Sequence, residues 1–456
     1  MSLESINPAT GESVATYAEH TDEEVIGRVE RCALAQIAWR DVPIEQRAVG
    51  VEDLARALME RQEDLARLMA AEMGKPLPEG RAEVEKCAWV CRHYAEQGPA
   101  MLATEEVDLD GVAAEVLYRP LGVVLAVMPW NYPLWQVFRF LAPALVAGNG
   151  VLLKHAANVT GCALAIEEIF DIDDFMPDDL FRALLVGSSG VAGVMENSRV
   201  KAVTLTGSTS AGRAVGALAG RTLKKSVLEL GGSDPYLILP DADLDRAVEC
   251  CVARRLANSG QSCVAAKRLI VCAEVLEDFT ARLVAAMSAK TFGDPLAGDF
   301  DLGPMARVDL RDELHRQVQR SVEAGAKLLL GGQVPEGPGA FYPPTVLADV
   351  RRGCPAWDEE LFGPVAAILP VAHVQEAVDV ANESVYGLGA AVFSQDLVLA
   401  ESIARHGLDA GSVAINDAVH SDPRLPFGGI KESGYGRELG LHGIREFVNV
   451  KSVVGV

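Results

Sequence analysis

From residue 115 onward the chain repeats one pattern: a short apolar, β-branched run, a turn, then a stretch with helical spacing. EVLYRPLGVVLAVMPWN carries the run Val123–Val127, and GVLLKHA, FRALLVG, KAVTLTG and KSVLELGG follow it. YPLWQVFRFLAPALVAGN, GCALAIEEIFDI, SGVAGVMENS and AGRAVGALAGRTLK lie between them with apolar residues three and four apart. Strands that are apolar throughout, alternating with helices, bury both faces only as a parallel sheet between two helical layers. A second series starts near Asp234: PYLILP, the long helix DLDRAVECCVARRLANSG, KRLIVC, and on through AKLLLGG, FYPPTVL and AAILPVA to AAVFSQD and SVAIND. The predicted fold class is therefore α/β, with two doubly wound Rossmann-like αβα domains meeting near Gly231-Gly232. The first hundred residues read as helical, EEVDLDGVAAEVLY as a β-hairpin with Asp-Gly at its tip, and FVNVKSVVGV as a terminal strand. Ligands of such a chain are expected in the crevice between the two domains.

A length of 456 residues exceeds what one core supports, which agrees with two large domains. The net charge of −23 argues against nucleic acid or an anionic membrane as partner, because both require clustered positive charge. No basic region precedes an apolar core at the N-terminus, and no run is long enough to span a bilayer. The nine cysteines are scattered and lack paired CxxC spacing, so no metal site is expected, and a reduced, cytoplasmic setting fits them.

Four stretches carry possible chemistry. In NSGQSCVAAKR, Gly260 permits a sharp turn and leaves Cys263 at or beyond a helix end. A nucleophilic thiol there needs accessibility, ionisation and nearby backbone amides, and a buried cysteine beside a turn reads equally well. Glu229 ends the apolar strand of VLELGG; burying a carboxylate there requires either a task or an ion-pair partner. Asn131, in MPWNYP, either caps the following helix or donates its amide to a developing oxyanion. GSTSAGR, Gly207 to Arg213, lacks the GxGxxG fingerprint, yet its glycines, hydroxyls and helix N-terminus suit a phosphate.

Taken together, INPATGE, PWNYP, LLK, TGSTSAGR, LELGG, NSGQSCVAAKR, EELFGPV and PFGGIKESGYGRE, in this order across the whole length, resemble the aldehyde dehydrogenase superfamily. The resemblance implies that residues 1–103 and 118–230 bind the cofactor, 231–432 form the catalytic domain, and 104–117 with 433–456 form an oligomerisation element. It makes Cys263 the nucleophile, Glu229 the general base and Asn131 the oxyanion donor. It places Lys154 on the adenosine ribose, Ser208 on the pyrophosphate, and Glu360 and Phe362 on the nicotinamide ribose and ring. Pro129, Trp130, Gly187, Gly207, Gly212 and Leu230 are implied on the cofactor side as well. The thiolate would add to an aldehyde, hydride would leave to NAD or NADP, and Glu229 would activate water to hydrolyse the thioester. Relatives that use coenzyme A lack that base. Members preferring NAD often carry glutamate three residues after the lysine, where Ala157 stands here. Lys154 and His155 would then supply positive charge for a 2′-phosphate, so NADP is expected to serve at least as well as NAD.

Arg139, eight residues after Asn131, resembles the arginine with which succinate-semialdehyde dehydrogenases bind the distal carboxylate; neutralisation by a local acid is the competing reading. A second arginine of some such enzymes is absent, with Ala257 in its place. Arg424 is a candidate replacement, Ser421 a candidate hydroxyl, and Trp135 and Phe427 candidate aromatic walls. The alternatives are a dehydrogenase for other short aliphatic or aromatic aldehydes, a non-catalytic descendant, and a cysteine hydrolase, which no histidine motif supports. Subunits of the family that the chain resembles usually pair through such a hairpin and C-terminal strand, so the resemblance implies a homodimer or homotetramer.

Overall fold

The structure is a computed structural model describing residues 2–172 and 176–455. Met1, residues 173–175 and Val456, which fall within the expected domain ranges, lie outside the described residues. Two sheets dominate. One has six strands in the order Gly434–Tyr435, Lys225–Glu229, Val200–Thr206, Val123–Met128, Gly150–His155 and Phe181–Ala183. All of its neighbours are parallel except Gly434–Tyr435. The other has seven strands, Lys327–Leu330, Thr345–Ala348, Val365–Val371, Arg268–Cys272, Pro235–Ile238, Gly389–Phe393 and Ser412–Ile415, with only the first pair antiparallel. The central strands of both are buried, as their unbroken apolar runs require. Among the described residues no helix is long and apolar enough to cross a membrane.

The helix Trp135–Val146 shows how the site's scaffold is fixed. It is buried on every side, between the six-stranded sheet and the helix Leu77–Met101, and is apolar except for Gln136 and Arg139, which border the cavities beside Cys263. Its N-terminus lies in the interior, and the free amides of Leu134 and Trp135 both donate to Glu83 at 2.9 Å. That carboxylate is itself paired with the buried Lys75. Truncating Leu141 here would cost about 2–5 kcal/mol, because the close-packed surroundings cannot collapse onto the void.

The structure departs from the sequence reading in two places. The N-terminus is not wholly helical: Ser2–Ile6 and Ser13–Ala18 form an antiparallel pair ahead of the first helix, Asp22–Arg40. Within 433–456, only Val448–Val454 joins the hairpin strands Glu105–Leu109 and Val112–Pro120 in the small three-stranded sheet. Gly434–Tyr435 instead extends the six-stranded sheet beside Leu228 and Glu229. Gly434 has φ +108°, and a side chain there would strike the Leu228 carbonyl, so the approach requires glycine. This anchors the C-terminal segment against the strand that carries Glu229.

Candidate active site

The loop bearing Cys263 is held in an unusual backbone. After the helix Leu244–Leu256, Asn258 (φ 53°), Ser259 (φ 54°) and Gly260 (φ 75°) are successively left-handed. The two non-glycine residues cost about 1–2 kcal/mol each in that region, and hydrogen bonds offset it. Asn258 Nδ2 donates to the Asn131 carbonyl at 2.8 Å and Ser259 Oγ to the Gly303 carbonyl at 2.9 Å. A Cβ on Gly260 would collide with the Gly363 carbonyl, so the Cys263 loop packs directly on the EELFGPV segment. Lys267, fully buried, ties the two: its Nζ donates to the carbonyls of Ser262 (2.8 Å) and Cys263 (2.7 Å) and pairs with Glu360 at 3.0 Å.

Cys263 stands where two cavities meet. The first, about 260 Å³, is lined by Pro129, Trp130 and Asn131, Gly207 and Ser208, Leu230, Glu360 and Phe362. The second, about 280 Å³, is lined by Trp135, Arg139, Ser421 and Phe427 among others. Cys263 and Gln136 border both. Burial pushes the thiol up to about 11, with Lys267 and then Arg139 pulling the other way.

On the first side, Ser208 caps the helix Thr209–Thr222 by accepting the Ala211 amide at 3.3 Å. Glu360 accepts the Gly232 amide at 3.1 Å, and any side chain on Gly231 would collide with its carboxylate. Gly212 does not line the cavity: its missing Cβ makes room for Leu230, which would otherwise lie 2.5 Å away. Lys154, Ala157 and Gly187 also lie outside it, at the ends of the next strands outward. Lys154 pairs in register with Val127, two residues before Pro129, and its pKa is lowered by burial. His155 does not supply the expected charge. It is buried, its Nδ1 accepts the Ala156 amide and its Nε2 donates to the Pro133 carbonyl, and burial pushes its pKa down to about 4.

Asn131 is not the cap of the helix that follows, because Glu83 takes that role. Its buried amide donates one hydrogen to the Gln261 carbonyl at 3.1 Å and opens on the cavity shared with Cys263. Glu229 is buried with neither carboxyl oxygen hydrogen-bonded, and Oε1 lies 2.6 Å from where a Cβ on Gly428 would stand. Burial raises its pKa well above the usual range, more than Arg139 offsets, and Glu438 adds to the rise. Its neighbours Leu230 and Gly231 line the first cavity; its own carboxyl does not. Among the described residues no ion pair neutralises it, since the Arg139 guanidinium pairs with Glu438.

Arg139 is correspondingly not a free cation. Besides Glu438, it donates to Thr206 Oγ1 at 3.2 Å and lies 4.9 Å from the Phe427 ring centre. Arg424 does not replace the missing charge either: it forks onto Asp422 at 2.8 and 2.6 Å and lies over Trp89, away from the cavity. The cations that sequence reasoning missed are Lys86 and Arg254, both lining the second cavity. Glu79, Ala82, Glu83 and Lys86 follow i, i+3, i+4, i+7 spacing on the helix Leu77–Met101, and that stripe was a legible signal. Arg254 lies one helical turn before Ala257.

The family model described as the aldehyde dehydrogenase family matches residues 1–453. A probable succinate-semialdehyde dehydrogenase (NADP(+)) of Synechocystis sp. is 47% identical over 453 residues, 99% of both chains. The succinate semialdehyde dehydrogenase (NAD(P)+) Sad of Escherichia coli is 47% identical over 449 residues, 98% of this chain and 97% of that one. Among solved structures, succinic semialdehyde dehydrogenase from Streptococcus pyogenes in complex with NADP+ superposes with a TM-score of 0.95 at 34% identity, covering 99% of each chain. Gox0499 superposes with a TM-score of 0.97 at 39% identity, again over 99% of each.

Proposed function

The chain belongs to the aldehyde dehydrogenase family, and from that premise we propose that it oxidises succinate semialdehyde to succinate, using NADP at least as readily as NAD. The observation that carries the reaction type is Cys263 at the junction of two cavities. One suits a dinucleotide: Gly207 presents no side chain, and Ser208 leads into a 14-residue helix whose first amides attract phosphate. A nicotinamide held beside Glu360 and Phe362 would supply the acceptor for the hydride that leaves the tetrahedral carbon.

The chain's own groups supply the rest. Cys263 Sγ, once deprotonated, bonds to the aldehyde carbon from the second cavity, and the oxyanion is met by the Asn131 amide and the Cys263 backbone N–H. After hydride loss the carbon is a thioester of Cys263. Glu229 then takes a proton from water as the hydroxyl oxygen attacks that carbon, and the carbon–sulfur bond breaks to release the carboxylate and restore the thiolate. In the resting protein burial against Gly428 favours the neutral form of Glu229, so the carboxyl must turn out of that pocket before it acts as a base.

The substrate assignment rests on the names of the relatives and on the cationic lining of the second cavity. A second reading, an uncharged short aldehyde, is favoured by one observation, the pairing of Arg139 with Glu438. A panel of four-carbon and aromatic aldehydes assayed with both cofactors separates the two: kcat/KM should be highest for succinate semialdehyde, and equal or better values for butanal would overturn the proposal. We also propose that copies associate through the three-stranded sheet, whose Val107, Leu109, Val112, Val450 and Val454 are exposed in the single chain.

A further inference from the structure

We propose that Lys86, with Ser421, is the group that reads the distal carboxylate of the substrate, an inference that rests on the semialdehyde assignment above. The cavity beside Cys263 contains more positive than negative charge once internal pairs are removed. Arg139 is neutralised by Glu438. Glu83 is committed to Lys75 and to two helix amides. Glu79 accepts the Asn258 amide at 2.7 Å and is pushed up to about 7 by burial. Two cations remain, Lys86 and Arg254, and among the described residues neither has an acidic partner within ion-pair distance.

Lys86 is the better placed. Its Nζ donates to Ser421 Oγ at 2.9 Å and lies 4.3 Å from the centre of the Trp135 ring. An ammonium withdrawn from water without a counter-ion is costly, and its pKa falls to about 8, chiefly through burial and then through Arg139 and Arg254. A carboxylate arriving here meets a preformed donor pair: an N–H of Lys86 not used on Ser421, and the Ser421 O–H, whose oxygen already accepts from Lys86. The Trp135 face holds the ammonium from below. The anionic end of the ligand is thus drawn to Lys86 while its other end faces Cys263.

The test compares two four-carbon aldehydes, succinate semialdehyde and butanal, in wild-type protein, Lys86→Met and Lys86→Arg, with thermal melting as a check on folding. Lys86→Met should raise KM for succinate semialdehyde at least about tenfold, with kcat at saturation and kcat/KM for butanal nearly unchanged. Lys86→Arg should recover most of the loss, and Ser421→Ala should show a smaller change of the same kind. Equal losses for both aldehydes, or a preference for the semialdehyde that survives Lys86→Met, would overturn the role of Lys86 while leaving the substrate assignment intact. If wild-type protein fails to prefer the semialdehyde over butanal, the assignment itself falls, and this inference with it.

Discussion

The two cavities that meet at Cys263 are built in different ways. The one proposed for the cofactor is a row of strand ends: Pro129–Asn131, Gly207–Ser208 and Leu230–Gly231 each follow one of three adjacent parallel strands. Its specific features are backbone features, an absent side chain or a free amide, and its one acid, Glu360, is fixed by Lys267 and the Gly232 amide. The one proposed for the aldehyde is a gap between helices, lined by Leu77–Met101, Trp135–Val146 and the end of Leu244–Leu256, and its specific features are long side chains. A row of strand ends accommodates a ligand common to many enzymes, whereas helix faces are free to vary with the substrate. Cys263 belongs to both, so changes on either side should be separable while changes at the sulfur should not.

The largest effect should therefore come from Cys263→Ala, which removes the proposed bond-forming atom. We expect kcat to fall about 10⁴-fold or more, with NADPH binding by fluorescence retained; oxidation within about a hundredfold of wild type would break the account at its centre. Glu229→Gln should act on only one half of the cycle. Steady-state turnover should drop about 10³-fold, within the range for loss of a general base, while a burst of one reduced cofactor per subunit survives in stopped flow. A variant with neither burst nor turnover would place Glu229 in the first step instead. The third test concerns how dry the junction is. Burial raises the Cys263 pKa to about 11, so the thiol is protonated at neutral pH and thiolate increases as pH rises toward that value. Alkylation of Cys263 by iodoacetamide in the cofactor-free protein should accelerate about tenfold per pH unit, about a hundredfold from pH 7 to pH 9. A rate already level by about pH 8 would mean the sulfur is better solvated or better paired than its surroundings indicate.

How much of this was legible in the sequence follows the same division. The parallel sheets were readable because each strand is apolar on both faces, and the strand-end motifs because glycines, Ser208 and Asn131 stand beside them in the chain. What failed was whatever depends on contacts remote in sequence. Arg139 and Glu438 are 299 residues apart (438 − 139), and nothing local to either announces that they pair. His155 looked like a charge beside Lys154, but the pleat that leaves Lys154 half-buried turns its neighbour fully into the core. Arg424 was drawn off by Asp422, two residues away, and that partner was visible all along. Lys86 was missed because the cavity its helix borders is closed by Trp135, Ser421 and Phe427, which are remote from it in sequence.

The smallest expected effect probes the far end of the cofactor side, where the comparison is least protected by burial. Ala157 is exposed at the start of a 3₁₀ turn three residues beyond Lys154, so a glutamate there can be accommodated without repacking. With His155 neutral, Lys154 is the only one of the two expected charges that remains to attract a 2′-phosphate. Adding a carboxylate opposes the phosphate and gives the two ribose hydroxyls of NAD an acceptor. At a separation of about 4 Å the Coulomb term lies between about 1 kcal/mol in water and about 4 kcal/mol near a protein surface, so Ala157→Glu should lower the kcat/KM ratio of NADP to NAD by about tenfold. Because the position is exposed, salt should shrink the effect: raising ionic strength from about 0.01 M to about 0.15 M shortens the screening length from about 30 Å to about 8 Å. A change in preference that is indifferent to salt would mean the new side chain acts by its shape and not its charge, and the basis assigned here to NADP use would be wrong even if the preference itself were measured as expected.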